Sequence, residues 1–257
     1  MIGQPGMRDY LAPAARDLLH RHGLDSFAAL WDLPLAAVDE PNVEREGWSN
    51  VARLELDGTG FYLKRQSNYL TRTVQKPLGE PTVAREFRNI RRYAQLAVPS
   101  LEAVFYGERK VGGELRAILL TRALAGWAPL GRLLEEWQDM PLDARQEIVL
   151  ACADLVGRLH AAKLRHGCLY PKHLFVRRQD GQWYGCLIDL EKTRHLWLTW
   201  RGRIKDLETF LRTVKVWSVA EQQHFLMRYL KTSGAPGTLA RWQEQIGRWR
   251  MIKDSRR

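Results

Sequence analysis

His166-Gly167-Cys168-Leu169-Tyr170-Pro171-Lys172-His173-Leu174-Phe175-Val176, followed shortly by Cys186-Leu187-Ile188-Asp189, sets the reading of the whole chain. A polar loop enters one short apolar strand, Asp180-Gly181 supplies turn residues, and a second apolar strand ends on a carboxylate. An aspartate at that place, beside a polar side chain at His173, is suited to hold a magnesium ion that bridges nucleotide phosphates. Two plainer roles stay open. They make Asp189 a helix cap or an ion-pair partner of Lys192 or Arg194, and His173 a satisfied core histidine, and the constellation as a whole favours the metal.

Upstream, the pattern runs from sheet to helix to sheet. Arg8 to Leu35 reads as one or two short amphipathic helices closed by Pro34. Val51 to Leu56 alternates apolar and polar side chains, Asp57-Gly58-Thr59-Gly60 supplies a turn, and Phe61 to Lys64 forms a second strand. Gln66 to Glu80 is polar and basic and reads as an exposed loop. Pro81 opens a helix with Val83, Phe87, Ile90, Ala94 and Ala97 at helical spacing, ended by Pro99. Strands at Ala103 to Tyr106 and Leu115 to Leu120 flank Gly112-Gly113. The downstream half is mainly helical, with Asp143 capping a helix whose apolar face includes Ile148, Cys152, Leu155 and Leu159. The fold class is therefore α+β. A helical extension and small β-rich N-lobe occupy 1–122, a helical C-lobe occupies 123–257, and a cleft between such lobes suits a nucleotide.

Within this order Lys64 ends a strand, where its ammonium can reach phosphate oxygens, and Glu86 on the next helix can hold it. Around Gly47 and Ser49, backbone amides and the Ser49 hydroxyl either face phosphates or form an ordinary hairpin. Arg201 to Lys205 reads as a basic turn entering a helix. Asp206 either caps that helix or braces the loop after His166 by accepting its backbone N–H groups.

The 257 residues carry a net charge of +11 and are 45% hydrophobic, enough for a core and suited to anionic partners. Cys152, Cys168 and Cys186 form neither a disulfide framework nor a zinc-type pair, which fits a reducing compartment. Asp9, Arg16 and Asp17 interrupt any leader-like apolar run, and Arg122 breaks the best apolar stretch. The expected location is the cytoplasm, with peripheral contact allowed at the inner face of the cytoplasmic membrane. Nucleic acid is set aside as a partner, because the ten tryptophans are scattered without a stacking motif.

These residues resemble the Kdo/WaaP lipopolysaccharide kinase family, particularly its InaA-like branch, from about Glu46 to Tyr229. The resemblance rests on Tyr62-Leu63-Lys64, Arg85 to Asn89, the His166, Tyr170, His173 spacing, Leu187-Ile188-Asp189-Leu190 and the Asp206-Leu207 pair. It implies a bilobal protein-kinase-like fold, ATP and Mg²⁺ as cofactors, and a lipopolysaccharide core heptose or other anionic glycan as acceptor. Lys64 would bind the α- and β-phosphates, with Glu86 orienting it, and Gly47 and Ser49 would lie in the phosphate loop. Thr121 and Ala123 would lie in the adenine hinge, His173 and Asp189 would hold the metal, and His166 and Tyr170 would frame the catalytic loop. Cys168 stands where that family carries its catalytic aspartate. Loss of a general base costs on the order of 10²–10⁴-fold in rate, which leaves two expectations: a slow kinase, or a nucleotide-binding pseudokinase.

Overall fold

Alternation along Gly47–Leu56 and Thr59–Ser67 creates the centre of the first sheet, because every second side chain faces the same side. The computed structural model of the chain describes residues 9–38, 40, 42–44, 47–73, 76–196 and 199–255. Its contacts form two compact units, Met1–Arg92 with Leu101–Ala125, and Tyr93–Ser100 with Gly126–Arg257. A single cut near 122 does not capture the assignment of 93–100 to the second unit.

The first unit contains β1 (Tyr10–Leu11), α1 (Arg16–Arg21), α2 (Phe27–Asp32), β2 (Asn42–Glu44), β3 (Gly47–Leu56), β4 (Thr59–Ser67), β5 (Leu70–Thr73) and β6 (Lys76–Pro81). α3 (Thr82–Gln95), whose last residues from Tyr93 belong to the second unit, β7 (Ala103–Val111) and β8 (Glu114–Arg122) follow. The main sheet is antiparallel in the order β1-β7-β8-β4-β3-β2. Asp57 and Gly58 close the β3–β4 hairpin with φ of 48° and 73°, the left-handed geometry that two-residue hairpins require. One sheet face buries Leu54, Leu56, Phe61, Leu63, Phe105, Ile118 and Leu120 against Leu19, Phe27 and Leu30 of α1 and α2.

Two expectations need correction in this unit. Gln66 to Glu80 is not a loop: β4 continues through Ser67, and β5 pairs with β6 as a separate antiparallel hairpin. Its polar composition concealed it, because a two-stranded ribbon need not present an apolar stripe. The helix after Pro81 stops at Gln95, and Ala94 and Ala97 are exposed. Ala97 has left-handed φ of 52°, and Tyr93 and Val98 take the buried positions.

The second unit contains β9 (Ala128–Pro129), α4 (Leu130–Glu135), α5 (Leu142–Ala161), β10 (Leu164–Arg165), β11 (Leu174–Gln179), β12 (Gln182–Leu187) and β13 (Arg194–His195). α6 (Thr199–Thr213), α7 (Val219–Ser233) and α8 (Leu239–Asp254) complete it. α5 is buried along Ile148, Cys152, Leu155 and Leu159, as its spacing predicts. Asp143 is not its cap. Pro141 holds that position, and Asp143 sits in the first turn, where a negative charge favours the helix dipole. α7 begins with a reciprocal capping box between Ser218 and Glu221. Phe210, Trp217, Phe225, Tyr229 and Trp242 pack in an aromatic chain through α6, α7 and α8. Arg201 to Lys205 lie inside α6 rather than in a turn before it, and Arg203 is buried, donating to the His160 carbonyl at 3.0 Å. Among the described residues no helix is long and apolar enough to cross a membrane.

Candidate active site

Strand register assembles the site in the second unit. Leu174 pairs with Leu187 at the ends of β11 and β12, and the Ile188 amide donates to the His173 carbonyl at 3.0 Å. The ladder thus delivers Asp189 beside His173, although the two lie far apart in sequence. Asp180 and Gly181 close this hairpin with φ of 50° and 78°. Asp189 itself is left-handed (φ 57°, ψ 60°), the conformation that turns the chain out of β12 into a short 3-10 turn, Leu190–Lys192. Its side chain makes no capping hydrogen bond there.

Asp206 reaches from α6 to the other end of the loop. Its carboxylate accepts from the backbone N–H of His166 at 2.6 Å and of Gly167 at 3.0 Å, and lies 3.3 Å from His160 Nε2. Of its two expected roles, bracing the loop is the one observed. Burial disfavours the charged carboxylate, but hydrogen bonds from His160 and the His166 amide outweigh it and hold Asp206 below the usual carboxylate range. Gly167 is required at its position: φ is 84°, and a Cβ would lie 2.6 Å from the Lys192 carbonyl oxygen. His160 and its Nδ1 partner, the Tyr229 hydroxyl at 2.8 Å, complete the support and were not foreseen. The signal for His160 was its place one residue after Leu159, on the buried side of α5.

The loop side chains form a tight group. His166 is fully buried, with Nε2 2.9 Å from the Ile188 carbonyl oxygen, and burial pushes its pKa down. Cys168 is 5% exposed, its Sγ 3.4 Å from His166 Nδ1 and 3.6 Å from Asp189 Oδ2. Burial first, and then the Asp189 charge, push the thiol far above its ordinary pKa, so Cys168 is a neutral thiol and no base. His173 Nδ1 faces the Cys168 carbonyl oxygen at 2.8 Å, and its Nε2 lies 3.2 Å from Asp189 Oδ2. Tyr170 is exposed and stands edge-on to His173.

In the first unit, Lys64 Nζ donates to Glu86 Oε2 at 3.1 Å, the carboxylate buried and the ammonium partly exposed. The other expected residues there have local partners. Ser49 is buried, and its hydroxyl accepts from Gln66 Nε2 at 3.1 Å. A Cβ on Gly47 would lie 2.4 Å from the Asn68 carbonyl oxygen, so this glycine admits the chain's own backbone. Arg45 and Glu46, which precede Gly47 in the sequence, lie outside the described residues. Thr121 is buried at the end of β8, opposite Tyr62. The Ala123 N–H donates to Gly60 O at 2.9 Å and its carbonyl accepts from Ala125 N at 3.0 Å.

The profile of the Lipopolysaccharide kinase (Kdo/WaaP) family matches residues 28–229. Protein InaA of Escherichia coli (strain K12) is 33% identical over 172 residues, covering 66% of this chain and 79% of InaA. Lipopolysaccharide core heptose(I) kinase WaaP of Pseudomonas aeruginosa is 27% identical over 165 residues, covering 59% of this chain and 62% of that protein. Among solved structures, WaaP in complex with acyl carrier protein aligns with a TM-score of 0.70 at 24% identity, over 97% of this chain and 99% of that one. At that identity the likeness shows the fold, the protein-kinase-like pairing of a small β-rich unit with a larger helical one.

Proposed function

Since the chain belongs to the Lipopolysaccharide kinase (Kdo/WaaP) family, we propose that it is a slow ATP-dependent phosphotransferase acting on a sugar hydroxyl of the lipopolysaccharide core. The observation that carries this reading is the Lys64–Glu86 pair at 3.1 Å, an ammonium held in position for phosphate oxygens by a buried carboxylate. Asp189 offers the hard oxygen that a magnesium ion accepts alongside phosphates. His173 offers nitrogen and Cys168 sulfur, donors that magnesium takes poorly, so the fit to magnesium runs through Asp189 alone. ATP and its divalent metal supply the phosphoryl group and the neutralising charge. The protein's part is to fix the loop through Asp206 and Gly167 and to present Lys64 and Asp189. The net charge of +11 favours a phosphorylated glycan acceptor and peripheral contact with an anionic membrane face.

A second reading, a pseudokinase that binds nucleotide without turnover, is favoured by the burial and neutrality of Cys168. Labelled ATP and core oligosaccharide separate the two. For the kinase, wild type transfers label above a Lys64→Ala, Asp189→Ala double variant, and Cys168→Asp raises the rate on the order of 10²–10⁴-fold. ATP binding with no transfer by either wild type or Cys168→Asp overturns the kinase in favour of the pseudokinase.

A further inference from the structure

We infer that the second unit carries a binding crevice for a phosphate monoester borne on a sugar ring, with Arg158, Arg177 and Arg228 meeting the phosphate and Trp127, Trp183 and Tyr184 meeting the ring. The inference does not rest on phosphoryl transfer and holds equally for a chain without turnover.

Packing of the β11–β12 hairpin on α5 makes the crevice. Gly185 has no side chain, so β12 settles close on α5; a Cβ there would lie 2.8 Å from Leu155 Cδ2. A crevice of about 590 Å³ opens beside this contact, lined from α5 by Asp154 and Arg158, from α7 by Arg228 and from the hairpin by Arg177, Trp183 and Tyr184. Trp127 lines it as well. That volume falls within the roughly 300–1,000 Å³ of small-molecule sites. The crevice is separate from the loop after His166. Arg177 lies three residues along β11 from Leu174, toward the turn, a distance of roughly 10 Å at about 3.3 Å per residue. Among the described residues, none from 166 to 173 lines it, and neither does Asp189.

Hydrogen bonding inside the crevice leaves donors in excess. Asp154 is its one carboxylate, and both oxygens are taken: Arg228 donates to them at 2.6 and 2.8 Å, and the Thr232 hydroxyl donates at 2.6 Å. The side-chain carbonyls are engaged too, Gln179 Oε1 by Arg177 Nη2 at 2.6 Å and Gln182 Oε1 by the Tyr184 hydroxyl at 3.1 Å. What remains is N–H: the exposed Arg158 fork, the rest of the Arg177 and Arg228 forks, and the Gln179 and Gln182 amides. Arg177 Nε and Trp183 Nε1 are buried without an acceptor, so the shortage extends below the surface. Three guanidinium groups stand against one carboxylate, an excess of positive charge that a phosphate neutralises and a neutral sugar does not.

A merely solvated basic face has no need of rings beneath its charges. Here Trp127 and Trp183 are half-buried and Tyr184 is exposed. Arg177 Cζ lies 4.7 Å from the Trp127 ring centroid, and a guanidinium stacked in this way keeps its in-plane N–H groups for oxygen acceptors. Apolar ring faces beside a donor-rich wall match the two sides of a sugar phosphate, its C–H face and its oxygens.

Calorimetry on the full chain with glucose 6-phosphate as the probe tests this, first without ATP, so that the result is independent of the transfer assay. One molecule should bind per chain, about 10-fold or more tighter than inorganic phosphate or glucose. Arg158→Gln should weaken binding about 10–100-fold, the loss of a charge-assisted contact. Because Arg158 is exposed, that variant should keep the wild-type melting temperature. Tyr184→Ala should weaken glucose 6-phosphate and leave inorganic phosphate nearly unchanged. The Lys64→Ala, Asp189→Ala double variant should bind as wild type does, and added ATP should not compete. Core oligosaccharide that competes before phosphatase treatment and not after it identifies a phosphorylated glycan as the source; intact core that fails to compete, while glucose 6-phosphate binds, identifies a free sugar phosphate. No binding by folded wild type, equal binding of glucose and its phosphate, unchanged affinity in Arg158→Gln, or displacement by ATP overturns the proposal.

Discussion

Replacing Asp206 with alanine should loosen the loop and cost a large share of the helical unit's stability. The carboxylate is 2% exposed and accepts two backbone N–H groups, at 2.6 and 3.0 Å, with His160 Nε2 at 3.3 Å. A hydrogen bond to a charged group contributes about 1.5–3 kcal/mol, so the two amides together represent roughly 3–6 kcal/mol. Releasing a buried charge returns part of that through lost desolvation, which puts the expected loss near the low end, about 3–4 kcal/mol. Against a typical total of about 5–15 kcal/mol this is severe. With a urea slope of about 1–3 kcal/mol/M, the unfolding midpoint followed by tryptophan fluorescence should fall by roughly 1–4 M. Hydrogen exchange at the His166 and Gly167 amides should accelerate together. Asp206→Asn keeps one acceptor oxygen and should lose less, which supplies a measurable variant if the alanine protein does not fold. A midpoint within about 0.3 M of wild type, with both amides still protected, would refute the bracing argument.

Lys64→Met should weaken ATP binding about 10–100-fold by calorimetry, the loss of one charge-assisted contact to phosphate; unchanged affinity would remove Lys64 from the nucleotide site. His160 is fully buried and burial depresses its pKa, so the unfolded state binds more protons once the pH falls below about 6.5. Stability should therefore drop as pH is lowered through that region, and His160→Gln should flatten the fall between pH values of about 7.5 and 5.5 in urea titrations. An identical slope in wild type and variant would contradict it.

Legibility in the sequence followed the range of the interactions. The β3–β4 hairpin and the buried face of α5 were readable because alternation, Asp57-Gly58 and helical spacing are local signals. The Lys64-then-Glu86 order was readable too, since strand followed by helix leaves few places for the two to meet. What stayed hidden depends on register. Ser49 looks available until β3 pairs with β4 and brings it to the Gln66 amide, which also donates to Thr82. Gly47 looks like a phosphate-loop glycine until the same pairing lays Asn68 across it. The β5–β6 hairpin has no apolar stripe to announce it, and the Gly60 carbonyl reaches the Ala123 amide only once β4 and β8 align.

The same non-local packing decides what Cys168 can be exchanged for. Cys168→Asp would bring a second carboxylate to within roughly 4 Å of Asp189 Oδ2, where two like charges at an effective dielectric near 20 repel by about 4 kcal/mol. The neutral thiol at 3.6 Å avoids that repulsion, and His173 then faces a single carboxylate. The variant has two ways out, to take up a proton or to bind a divalent cation between the carboxylates. It should therefore melt several degrees below wild type in chelator and recover in millimolar Mg²⁺, whereas wild type should respond little to Mg²⁺. Equal melting temperatures with and without Mg²⁺ would mean that the substituted side chain turns away from Asp189, and a rate gain in Cys168→Asp would then have another cause.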